Sequence, residues 1–217
     1  MKRAFDCSAL VKPGTFRETT KNEQGDDRVG HKAMAGFGAF YLADGATGVG
    51  LGGEAADAFV AALEDADFDQ YRSAEACCDL LRLADEEVSV KLKGNGDTTG
   101  ILIVTNGEDL WGASAGDSRG MFYKADGVVE LTCRQVRKPR FGAGAKPVGF
   151  KGKVRPGERL LLASDGLWDF AQSGLISEVA RGVGTAEGVV HRLEELVRYQ
   201  NEGRLPDDLS IMMFIFR

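Results

Sequence analysis

Short apolar stretches that each meet an aspartate beside a glycine or a second acid constrain this chain more than any other feature. Gly36 to Ala43 (GFGAFYLA) runs into Asp44-Gly45, Asp109 to Ala115 into Gly116-Asp117, and Arg159 to Ala163 into Ser164-Asp165-Gly166. Leu209 to Phe216 is entered through Asp207-Asp208. Apolar runs of this length, stopped by residues that favour tight turns, read as β-strands with short connections. The 29 glycines among 217 residues supply the backbone freedom such turns need. Thr98 to Thr105, Gly120 to Lys124 and Val128 to Thr132 complete the apparent strands, separated by N-G-E, G-D-S and A-D-G turns. Their spacing predicts a meander of antiparallel hairpins.

Between the strands the period changes. Glu54 to Ala66 places Ala55, Phe59 and Leu63 on one helical face, and a second helix starts at Ser73, a suitable N-cap. Ser173 to Val183 and Thr185 to Tyr199 read as two more helices. Helix pairs set between runs of strands, without strict βαβ alternation, predict an α+β fold with helices packed outside antiparallel sheets. The length fits one domain over 1–217, with no linker, repeat or low-complexity tract.

Charge and cysteine usage narrow the class. With 27 basic and 33 acidic residues the net charge is −6, which disfavours nucleic acid and anionic membrane as partners. Residues 134–159 are the exception, with nine Lys or Arg and one acid, Glu158. Such a segment is either a solvated loop or a landing place for an anionic partner. Cys7, Cys77, Cys78 and Cys133 contain no C-x-x-C and have only His31 and His191 for company, so a zinc site is not expected. A reducing, cytoplasmic setting and a monomer are the expectation. Asp6 interrupts the N-terminal apolar stretch, so no targeting segment is expected, and no apolar run approaches the ~20 residues that span a bilayer.

Aspartates delivered to strand edges suggest a common purpose. Several carboxylates converging with little His or Cys nearby are the hard oxygen ligands that Mg²⁺ and Mn²⁺ prefer. Each D-G or G-D alone is an ordinary turn dipeptide. In order, however, the strings G-D-D-R (25–28), L-A-D-G with G-G-E-A-A (42–56), D-T-T-G (97–100), G-D-S-R (116–119), A-S-D-G-L-W-D (163–169) and D-D-L-S (207–210) resemble one family. It is the metal-dependent Ser/Thr protein phosphatases of type 2C, in a compact bacterial form.

The resemblance implies a central antiparallel β-sandwich flanked by helices and a phosphatase acting on phosphoserine and phosphothreonine in proteins. It implies two Mg²⁺ or Mn²⁺ ions that activate a water, without a covalent intermediate. Asp44 would bridge the ions with help from the Gly45 carbonyl. Asp165 and Asp207 would complete one site, and Asp26 would reach the other through water. The phosphoprotein substrate would dock near the basic segment 134–159.

Three departures stand out. The register of the phosphate-binding arginine holds Asn22, leaving Arg17 as the candidate and Lys21 as its competitor. Ala46 and Thr47 follow Asp44-Gly45 where a histidine acid would stand. Gly94 occupies the register of an acid for a third ion, so Asp97 is a displaced candidate and Asp117 a supporting residue. The stretch 134–158 is a shortened form of the family's flap beside the site. Two rival readings follow: a weakly catalytic binding or regulatory module, and a serine hydrolase built on Gly112-Ala113-Ser114-Ala115-Gly116 with Asp165 and His191. The hydrolase is disfavoured because Ser114 precedes another strand rather than a helix.

Overall fold

Ten strands and five α-helices make up the computed structural model, which describes residues 5–14, 25–34, 36–46 and 50–217. In chain order they are β1 (Phe5–Lys12), β2 (Asp27–Met34), β3 (Phe37–Asp44), α1 (Gly52–Asp65), α2 (Ala74–Leu92), β4 (Gly100–Thr105), β5 (Asp109–Ala115), β6 (Arg119–Lys124) and β7 (Gly127–Glu130). Then come β8 (Val148–Lys153), β9 (Arg159–Ala163), α3 (Asp165–Trp168), α4 (Ser173–Arg181), α5 (Ala186–Gln200) and β10 (Leu209–Phe216). Two antiparallel sheets result, ordered β2-β3-β4-β5-β8 and β1-β10-β9-β6-β7.

The sheets stack with a helical layer outside each, because the central strands are apolar on both faces. Phe40, Leu42, Ile101 and Ile103 point between the sheets and meet Leu160, Leu162, Met212 and Phe214. Their neighbours in sequence, Tyr41, Ala43, Leu102 and Val104, point the other way into a core with α1 and α2. Leu161, Ala163, Ile211 and Met213 do the same beneath α4 and α5. Ser73 caps α2 by accepting the Ala76 N–H at 3.1 Å, and Thr185 caps α5 by accepting that of Gly188. No helix among the described residues is long and apolar enough to cross a membrane.

The expected meander is corrected in one respect. β4–β5 and β6–β7 are hairpins, but they belong to different sheets, so Gly116-Asp117-Ser118 is a crossing between sheets and not a hairpin turn. β1, β2 and β8 were not anticipated. All three are edge strands, and β2 (DRVGHKAM) and β8 (VGFKGK) carry the lysines, glycines and histidine that an edge tolerates. β8 lies inside the basic segment, which is therefore only partly a loop.

Candidate metal centre

Sheet register alone creates an electrostatic problem. Asp27, the first residue of β2, lies directly opposite Asp44, the last of β3. Like charges placed opposite one another in a ladder are destabilising. The crossing after β5 adds Asp117 and the turn after β9 adds Asp165. One carboxylate oxygen from each of Asp44, Asp117 and Asp165 lies within 4.8 Å of the others. Asp27 Oδ2, Asp44 Oδ2 and Asp117 Oδ1 are buried without a hydrogen-bond partner.

The acid strengths reflect this crowding. Burial, then the charges of Asp27, Asp165, Asp117 and Asp207, push the Asp44 carboxyl well above the usual range. Asp165 is raised to about 6, first by burial and then by Asp207 and Asp117. Asp27 is raised to about 7 by burial, which the hydroxyl of Ser164 counters, and the charges of Asp208 and Asp165 push it further up. Buried carboxylates with orphaned oxygens and no imidazole or thiolate among them suit hard divalent cations such as Mg²⁺ or Mn²⁺. The residues present fit such ions.

Backbone and hydroxyl contacts hold the acids in place. Asp44 exchanges bonds with Thr99: its carbonyl accepts the Thr99 N–H at 2.8 Å, and its N–H reaches Thr99 Oγ1 at 3.3 Å. Thr99 Oγ1 in turn lies 2.7 Å from Ser118 Oγ, so the D-T-T-G and G-D-S-R strings are joined through hydroxyls. Gly45 and Gly166 are required by close approach. A Cβ at Gly45 would lie 2.2 Å from the Gly52 carbonyl oxygen, and one at Gly166 would lie 1.9 Å from that of Asp208. Arg28 braces the Gly25–Asp27 turn, bonding the Gly25 and Asp27 carbonyls and forking onto Asp57 of α1.

The expected site residues fall into groups. Asp44 and Asp165 come together, and Asp207 is near enough for its charge to raise both. Gly45 is seated by its N–H on the Asp26 carbonyl at 3.3 Å. Asp26 is buried and gives its N–H to Asp208 Oδ2 at 2.5 Å; its neighbour Asp27 is the acid opposite Asp44. Asp97 instead faces Arg140 at 3.6 Å, and Arg140 also pairs with Asp117 at 3.0 Å. Arg17, Lys21 and Asn22 lie outside the described residues. Asp27 and Arg140 were not singled out by the sequence: Asp27 is adjacent to another acid, and no short motif marks Arg140. Ser114 is fully buried in β5, while His191 is exposed on α5 against the other sheet, so no triad with Asp165 is assembled.

No protein-family model and no curated protein matches the sequence. Solved structures do match in three dimensions. The catalytic domain of the serine/threonine protein phosphatase PstP, in complex with two manganese ions, superposes with a TM-score of 0.78 at 22% identity, covering 97% of each chain. The Mycobacterium tuberculosis serine/threonine phosphatase PstP/Ppp gives 0.80 at 22% identity, over 98% of this chain and 99% of that one. The S. agalactiae serine/threonine phosphatase gives 0.83 at 17% identity, over 98% and 100%. The fold is that of these serine/threonine phosphatases. Within this phosphatase fold the expected sandwich of two antiparallel sheets between helical layers is the one observed.

Proposed function

We propose that the chain is a metal-dependent phosphomonoester hydrolase acting on phosphoserine and phosphothreonine in proteins. The observation that carries the reading is the meeting of Asp44 and Asp165, with Asp27 opposite Asp44 and one buried oxygen of each of Asp27 and Asp44 lacking a hydrogen-bond partner, in a fold shared with phosphatases, one of them holding two manganese ions. Asp44, Asp165 and Asp207 would hold two Mg²⁺ or Mn²⁺ ions, with Asp27 and Asp26 beside them. When bound, such ions lower the pKa of water and offset charge on phosphoryl oxygens.

The chain's own residues then do the rest. Thr99, itself bonded to Ser118, fixes the Asp44 backbone and so limits how far its carboxylate must reorganise. No histidine lies among the clustered acids, so the leaving alkoxide takes its proton from solvent. Arg17, with Lys21 as competitor, would meet the phosphate oxygens through charge-assisted bonds. A weakly catalytic binding module is less well supported, since buried unpaired carboxylates are costly to keep without a cation to offset them.

The test is hydrolysis of an aryl phosphate and of phosphoserine and phosphothreonine peptides, with Mn²⁺ or Mg²⁺ and with chelator. Hydrolysis that needs the ion and disappears in Asp44→Asn supports the reading. Ion binding with no turnover of any of these substrates would instead favour the binding module.

A further inference from the structure

We propose that Arg140 is a built-in cation that fills the Asp97–Asp117 side of the carboxylate cluster and keeps a further divalent ion from binding there. The inference rests on the metal-centre reading above. Arg140 lies in the segment between β7 and β8, within the basic stretch. Both terminal nitrogens face carboxylates: one donates to Asp117 Oδ2 at 3.0 Å, and the other lies 3.6 Å from Asp97 Oδ1, a charge contact without a hydrogen bond. The Arg140 side chain is 21% exposed, and its Nε is buried without a hydrogen-bond partner.

The position of Arg140 is set by backbone. Phe141 and Thr98 exchange N–H···O bonds of 2.9 and 3.0 Å, which seats Arg140 beside Asp97 and across from Asp117. The Phe141 ring is fully buried against Phe59, with centroids 4.8 Å apart. Gly142 and Gly144 give their N–H groups to Asp85 of α2 at 2.7 and 3.2 Å. Upstream, Gln135 Nε2 donates to the Ser118 carbonyl and the Gly116 N–H to Val136. The guanidinium thus arrives on a strap bound to both metal-proximal turns, unlike a surface arginine free to swing away.

A guanidinium keeps its proton throughout the accessible pH range. It offers permanent positive charge where Asp97 and Asp117 would otherwise be two more oxygen ligands. A divalent cation placed there would meet that charge at close range and lose both carboxylates to it.

The experiment counts Mn²⁺ ions per full-length chain by calorimetric titration and by the electron paramagnetic resonance of bound Mn²⁺. Wild type should take two ions up to millimolar Mn²⁺. Arg140→Gln and Arg140→Ala should each take one more, and Arg140→Gln combined with Asp117→Asn should lose it again. Arg140→Lys should keep the wild-type count, because it keeps the charge. A neutral variant that is folded by circular dichroism and has an unchanged count and affinities overturns the inference, as does a lysine variant that gains an ion. Should the neutral variants not fold, the wild type alone decides, since a third ion bound to it overturns the proposal and a firm count of two supports it. A wild type that binds no ion at all overturns the metal-centre reading as well, which distinguishes the two failures.

Discussion

On one side of the carboxylate cluster Asp27, Asp44 and Asp165 confront one another with no ion pair among the described residues; on the other, Asp97 and Asp117 share Arg140. Both sides are built from strand-edge aspartates. They differ in where compensating charge comes from. The Arg140 side carries its cation within the chain and behaves as structure. The Asp27–Asp44 side leaves carboxyls raised by burial and by neighbouring acids, which a proton or an external cation would relieve. An acid's sequence context is therefore a poorer guide to metal binding than the cation it meets after folding.

The sharpest way to break this comparison is to remove a carboxylate from the unpaired side. Asp44→Asn or Asp165→Asn should reduce Mn²⁺-dependent aryl phosphate hydrolysis more than about a hundredfold, beyond what loss of an outer-shell partner alone costs. The same variants should melt at higher temperature than wild type in chelator, because repulsion is relieved. Activity close to wild type would remove that residue from the proposed centre.

Next in size is the phosphate contact. Arg17→Ala should lower kcat/KM by about tenfold to a hundredfold, as expected from a charge-assisted bond worth ~1.5–3 kcal/mol. Mn²⁺ affinity should not fall, since an arginine is no ligand. A larger loss in Lys21→Ala, with Arg17→Ala silent, would move the assignment to Lys21.

A further effect, read in stability and not in activity, follows from acid strength. Asp27 is raised from the ordinary carboxylate value of 3.8 to about 7 in the folded chain. The folded state then holds a proton that the unfolded state releases between these values. Stability is lost as pH rises through that window, and the deficit is complete above about pH 7. Asp27→Asn removes the titration. In chelator, its melting temperature relative to wild type should climb from pH 4 to pH 7 and then level off. A pH-independent difference would show that Asp27 is already compensated.

The smallest changes belong to residues outside both sides. Ser114→Ala and His191→Ala should leave hydrolysis within about twofold. Ser114 Oγ is buried without a partner, so its removal should also be neutral or slightly stabilising. A hundredfold loss of activity in Ser114→Ala would restore a nucleophile to consideration.

Much of the architecture was legible because central strands and amphipathic helices advertise themselves by period. β5, β9 and β10 begin and end where the sequence places them, and α2 starts at the Ser73 cap. The edge strands β2 and β8 were not, since a strand with one exposed face needs no apolar run. At the site, Asp44 and Asp165 could be read because each ends a strand in a recognisable string. Asp27 was hidden by its neighbour Asp26: two consecutive acids cannot be ranked until the β2–β3 register decides which lies opposite Asp44. Arg140 was hidden among nine basic residues, and only the Phe141–Thr98 pairing singles it out.

Asp208 has a consequence of a different kind. Its two oxygens accept the N–H of Gly14 at 2.7 Å and that of Asp26 at 2.5 Å. The carboxylate acts as a clasp between the residues that follow β1 and those that lead into β2, strands that lie in different sheets. One side chain thus pins two sheets together beside the acids, and Asp208→Ala would release both N–H groups at once.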